Sequence, residues 1–148
     1  MSNKNIQKEY EKDFYAWTIQ NAKLLRAGKL SEIDIEHIAE EIESMGKGER
    51  RELINRLAIL ISHLLKWKYQ PIRRSKSWKL TIREQRIQVT RLLDESPSLK
   101  HELTAKLKDA YEQAVIIAER ETALEEEIFP KKCPFTINEC FNQKFFPE

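Results

Sequence analysis

The run Leu53–Trp67, LINRLAILISHLLKW, is the most apolar stretch of the chain and constrains the fold more than any other segment. On a helical wheel at about 100° per residue, Leu53, Ile54, Leu57, Ala58, Leu60, Ile61, Leu64, Leu65 and Trp67 cover roughly half the circumference, with Ile59 outside the arc. An apolar arc that wide needs neighbours on more than one side. Arg56, His63 and Lys66 interrupt the run, which excludes a membrane span. With the segment that follows it forms an expected helical hairpin, Leu53–Leu93. Gln70 and Pro71 mark the turn, and the second arm begins between Ser75 and Trp78. That arm turns Trp78, Ile82, Val89, Leu92 and Leu93 inward.

The remaining segments read as further helices around this hairpin. Residues 1–8 carry no periodic pattern and are expected to fray. From Tyr10 the spacing of Tyr10, Phe14, Trp17 and Leu24 marks an amphipathic helix, with Gly28 at its left-handed end. Ser31 and Asp34 compete as N-cap of a second helix with the apolar face Ile35, Ile38, Ala39, Ile42 and Met45, which Gly46 and Gly48 should close. Ser96 and Pro97 pair a cap with a proline at the first helical position. The helix they open carries Leu99, Leu103, Leu107, Ala110, Ala114 and Ile117, and its Ala110, Ala114 and Ala118 permit close helix approach.

Residues 128–148 are rich in aromatics and prolines, with Thr136 able to cap one short helix. So much apolar surface is costly in water, so this tail is expected to dock, burying Phe129, Phe135 and Phe141. Three glycines and five prolines in 148 residues leave few breakers, and the length suits one domain, 1–148. The expected fold is all-α: a single-domain bundle of about five helices with a docked C-terminal tail.

Composition is less informative about function. A net charge of +2 selects no partner. Cys133 and Cys140, without a second cluster, read as reduced thiols rather than a zinc site or a disulfide. The opening MSNKNIQKEYEKD lacks an apolar core, so a cytoplasmic location is expected.

The informative residues are polar ones on apolar faces. Arg86 lies within about 40° of Ile82 and about 20° of Leu93, with Gln85 beside it. A buried arginine needs a partner. Glu41, at the edge of the second helix's apolar face, is the expected one, with His63 and Gln85 completing a network. That network either fixes helix packing or lines a pocket with Glu41 or His63 as acid or base. His37, His63 and His101 fall on three helices, but His101 points outward, so no metal and no cofactor are expected.

At the start of the second arm, Arg73, Arg74, Lys76 and Lys79 gather at the positive end of a helix dipole. They call for anions. The acidic second helix could supply them. So could a small anion held by Arg74, Ser75 and Ser77, or nucleic acid stacked on Trp67, Tyr69 and Trp78.

Between Tyr10 and Glu148 the chain resembles the bacterial family called domain of unknown function 29. The likeness rests on Asp13-Phe14-Tyr15-Ala16-Trp17, Leu24-Leu25-Arg26-Ala27-Gly28 and Ile38-Ala39-Glu40-Glu41-Ile42-Glu43. It continues in His63-Leu64-Leu65-Lys66-Trp67, Tyr69-Gln70-Pro71, Ile82-Arg83-Glu84-Gln85-Arg86, Cys133-Pro134 and Phe146-Pro147-Glu148. The resemblance implies an all-helical fold and carries over no catalytic residue.

The functional expectation is a non-enzymatic interaction module. Its alternatives are an enzyme or small-anion binder built on Glu41, His63, Gln85 and Arg86, and then a nucleic-acid binder using Arg73 to Arg83. The expected binding residues are Glu41, His63, Arg74, Ser75, Ser77, Trp78, Gln85 and Arg86. Expected partners are another protein or a second copy, with no membrane.

Overall fold

A computed structural model describes residues 3–148. Its described residues form six α-helices joined by turns and short 3-10 segments, with no strand. They are α1 (Asn3–Lys12), α2 (Phe14–Arg26), α3 (Ile35–Tyr69), α4 (Lys76–Glu95), α5 (Leu103–Glu121) and α6 (Ile137–Phe141). Two compact units divide the chain, one up to Gly48 and the other from Glu49 to Glu148.

The first unit holds α1, α2 and the start of α3. The expectation of a frayed start is corrected from Asn3 onward: the chain is helical there, and Ile6 is buried. Met1 and Ser2 lie outside the described residues. The single helix expected from Tyr10 is two helices, because the Asp13 carboxylate accepts the Ala16 N–H and opens α2 with a cap. Gly28 takes φ +72° just beyond α2, a conformation that favours a residue without Cβ.

The expected helix end at Gly46 and Gly48 is absent, and α3 runs unbroken to Tyr69. Neither glycine has a positive φ, and a glycine in an exposed helix costs only about 1 kcal/mol relative to alanine. A Cβ at either position would meet nothing within 4 Å. Gly46→Ala and Gly48→Ala should therefore each stabilise the protein, by about 0.5–1 kcal/mol, read as a higher urea midpoint with unchanged slope.

The second unit realises the expected hairpin. Leu53, Leu57, Leu60, Ile61, Leu64 and Leu65 of α3 are buried with Ile82, Val89, Leu92 and Leu93 of α4. Pro71–Arg73 forms a 3-10 turn between the arms, and the Ser75 hydroxyl caps α4 by accepting the Trp78 N–H. Pro97 opens a 3-10 segment, Pro97–Glu102, rather than an α-helix, and Glu102 is gripped by the Arg50 guanidinium fork. In α5 the small residues Ala110, Ala114 and Ala118 are all fully buried.

The tail packs on this core. Phe129, Phe135 and Cys140 are buried, whereas Phe141, expected to be buried, is half-buried at the edge. Thr136 and Glu139 form a capping box that starts α6. The Tyr111 hydroxyl donates to the Pro130 carbonyl, fixing where the tail turns.

Candidate functional site

Arg86, expected to pair with Glu41, takes its hydrogen-bond partners from its own unit. Glu41 accepts a hydrogen bond from the Tyr10 hydroxyl in the first unit. Arg86, in the second unit, is fully buried and, among the described residues, forms no salt bridge. Its Nε donates to the Cys140 carbonyl at 2.7 Å, and its Nη2 donates to Glu139 O at 3.1 Å and Phe145 O at 2.9 Å. The Phe146 ring lies 5.5 Å below the guanidinium. Neutral carbonyl dipoles thus replace the anion expected from the wheel. Burial still pushes the Arg86 pKa down from its ordinary value.

A second arginine holds the end of the same tail. Arg74 donates through Nε to Trp67 O at 2.8 Å and through Nη2 to Pro147 O at 3.2 Å. It also stacks on the Trp67 ring, and Trp67 meets Phe146 at 5.0 Å. Two of the expected binding residues therefore bind the chain's own C-terminal segment. Gln85, beside Arg86, accepts from Arg56 Nη1 at 3.4 Å. Ser75 serves as the helix cap, and Ser77 is exposed.

His63 and Trp78 meet a different group. The Ile59 carbonyl accepts from His63 Nδ1 at 2.9 Å, which places the neutral ring's proton there and leaves Nε2 with its lone pair. Burial pushes the His63 pKa down, with the Lys66 charge adding to it against the raising effects of the Ile59 carbonyl and Glu121. Lys66 is buried, its Nζ 2.6 Å from Glu121 Oε2 and 5.0 Å from the Trp78 ring centroid. Lys66 and Glu121 were not among the expected site residues. An i, i+3 spacing from His63 puts Lys66 on the same turn, but nothing in the sequence identifies Glu121 as its partner.

The first unit contains a network that sequence reasoning missed. Asp34 is buried, and its carboxylate accepts from Trp17 Nε1 at 2.9 Å and from the His37 ring at 2.6 Å. Asn21 supports it by accepting the Asp34 N–H and donating to Trp17 O. Tyr10 stacks on the His37 ring with 3.9 Å between centroids, and hydrogen bonding to Glu41 pushes its pKa up to about 12. The signal was present in Asp34 as a cap candidate three residues before His37, but not the burial that makes it a clamp.

The Asp34 hydrogen bond raises the His37 pKa from its ordinary value. A raised folded pKa means that the stabilisation is fully present below the unfolded value of about 6.5. It is lost as pH rises through the folded pKa. Asp34→Asn should return the His37 titration toward the ordinary value, an outcome that an NMR titration of the ring protons checks directly. An unchanged His37 titration in that variant would show that Asp34 does not set it.

The clefts along α5 and α4 are lined by other residues than the expected binding set. A cleft of about 700 Å³ lies along α5, rimmed by Glu112, Glu119, Glu126 and Glu127, and a shallower one of about 400 Å³ touches Lys79, Arg83 and Phe146. Among the described residues no three His, Cys, Asp or Glu side chains converge as a metal site would require. No helix there is long and apolar enough to cross a membrane. His101 is exposed.

A family model described as Domain of unknown function DUF29 matches residues 9–146. The chain belongs to that family, as the sequence resemblance implied. No curated protein and no solved structure matches it.

Proposed function

We propose that this member of the DUF29 family is a non-enzymatic, cytoplasmic interaction module whose partner is a second copy of the same chain. The observation that carries this reading is a pair of uncovered apolar helix faces flanked by opposite charges. On the first part of α3, Ile35, Ile42 and Met45 are 65%, 63% and 71% exposed. They fall within about 80° of one another on the helix. Glu49, within that arc, and Glu52, about 20° beyond it, are exposed on the same helix.

On α4, Leu80 and Ile87 are 49% and 44% exposed and lie two turns apart on one face. Lys76, Lys79, Arg83 and Arg91 are exposed around them. Apolar residues recurring along a solvent-facing helix are costly unless something covers them. Charge of opposite sign on the two faces favours pairing α3 of one copy with α4 of another and disfavours like faces meeting.

Sedimentation of the intact protein tests this. Wild type should associate at about 0.05 M salt and dissociate toward about 0.5 M, as screening removes the charge pairing. Glu49→Lys with Glu52→Lys should be monomeric, as should Lys76→Glu with Lys79→Glu and Arg83→Glu. Mixing the two variants should recover a complex, since each supplies the face that the other lacks. A wild type that stays monomeric throughout, or variants that associate unchanged, would overturn the reading. If the basic variant instead loses a salt-sensitive affinity for DNA or RNA, the α4 face is a nucleic-acid surface.

A further inference from the structure

Pairing through α3 and α4 leaves a groove on the second unit unused. One wall of it is α5, and the other is the 3-10 turn Glu126–Ile128 with Phe129, Pro130 and Lys131. The space between is the cleft of about 700 Å³. Its floor is apolar. Tyr111 and Phe129 are buried there, Val115 is half-buried, and Ile116 keeps 54% of its surface exposed. The hydrogen bond from the Tyr111 hydroxyl to the Pro130 carbonyl ties one wall to the other.

The rim is negative. Among the described residues that line the groove, Glu112, Glu119, Glu126 and Glu127 stand against a single cation, Lys131. None of these four takes part in a salt bridge among the described residues. Glu121, on the opposite face of α5, is paired with Lys66. The order along α5 is specific. Glu112 and Glu119 are about 10.5 Å apart along the axis and about 20° apart around it. Val115 and Ile116 lie between them, about 60° and 40° to either side. This face therefore reads carboxylate, apolar pair, carboxylate.

We propose that this groove binds a basic amphipathic helix of another protein, in which Lys or Arg at positions i and i+7 flank apolar residues at i+3 and i+4. A helix lying along α5 has the same rise per residue. Its two cations therefore reach Glu112 and Glu119 together while its apolar pair covers Val115 and Ile116. Further cations on its outer flank meet Glu126 and Glu127. A small cation would answer the carboxylates and leave Ile116 in water. A neutral helix would cover the floor and leave the carboxylates partly desolvated without partners. The basic face of α4 in a second copy fits less well. It offers Lys76, Leu80 and Arg83 at i, i+4 and i+7, but its i+3 residue is Lys79, where the groove presents Val115.

Fluorescence anisotropy with the intact protein tests this. The probe is a fluorescein-labelled, alanine-based peptide of about 18 residues, long enough to be helical, with lysines at i and i+7 and leucines at i+3 and i+4. Wild type should bind it with an affinity that falls as salt rises. Glu112→Lys with Glu119→Lys should bind at least about tenfold more weakly. Glu49→Lys with Glu52→Lys makes the same charge change on α3 and should bind as wild type does. Replacing the peptide's leucines with serines should also weaken binding at least about tenfold. Absence of binding to wild type, equal loss in both charge variants, or a serine peptide bound as tightly as the leucine one overturns the proposal. So does a gain in peptide affinity in Lys76→Glu with Lys79→Glu and Arg83→Glu, which would make α4 of a second copy the occupant. Should the α5 variant lose its helical circular dichroism, Ile116→Asp takes its place with the same expected loss.

Discussion

Arg86→Met is expected to cost about 4 kcal/mol or more and to lower the melting temperature by roughly 10 °C. The size follows from what the side chain touches. Its guanidinium is fully buried and supplies donors to the carbonyls of Cys140, Glu139 and Phe145. Methionine fills much of the volume but donates nothing, so three acceptors in the packed tail lose their partner. Each such loss in a buried setting costs about 1–3 kcal/mol. Arg86→Lys should recover only part, because an ammonium lacks the planar fork that reaches separate carbonyls. Urea denaturation of the three proteins measures this, and a change below about 1 kcal/mol in the methionine variant would mean that the tail is held by its aromatics alone.

Deleting residues 128–148 should be more damaging still. Phe129 and Phe135 are buried in the core cluster, and each contributes about 1.5–3 kcal/mol of burial. The deletion also removes Cys140 from that core and leaves Arg86 with none of its three acceptors. Those losses together reach the lower end of the roughly 5–15 kcal/mol by which domains are stable. The truncated chain is expected to aggregate or to lack a cooperative melt of its second unit. A soluble truncation with an unchanged melting curve would show that the tail is not part of the core.

The contrast between these two results and the sequence expectation shows where legibility stops. The periodicity of Leu53, Leu57, Leu60 and Leu64 identifies a central helix because burial follows directly from which residues share a face. The left-handed Gly28 and the Thr136 cap were readable for a similar reason, each being a local rule of backbone hydrogen bonding. Arg86 was readable as buried, but its partner was not. A wheel states which face a residue occupies and is silent about what crosses that face. Glu41 was chosen on charge, whereas the tail offers carbonyl dipoles to Nε and Nη2 of the guanidinium and leaves the buried Nη1 without a hydrogen bond.

The helix boundaries failed in an instructive way. Gly46 and Gly48 resemble terminators, yet glycine ends a helix only where a positive φ is used, as at Gly28. The apolar face of Ile35, Ile42 and Met45 was correctly recognised as a stripe, but its exposure was not foreseeable. Amphipathic patterning records that a surface needs covering without recording whether the cover is in the same molecule. The Asp34–His37–Trp17 cluster escaped notice because Trp17 lies in a different stretch of sequence from Asp34 and His37 and is joined to them only by the fold.

The claim that the α3 face of one copy covers the α4 face of another is tested most directly by zero-length carbodiimide crosslinking of an equal mixture of light and heavy-isotope-labelled protein. The expected crosslinks join Glu49 or Glu52 to Lys76 or Lys79, with light–heavy pairs present in the statistical proportion. Crosslinks at those positions found only within one label, or lysines of α4 joined instead to Glu112, Glu119, Glu126 or Glu127, would contradict it.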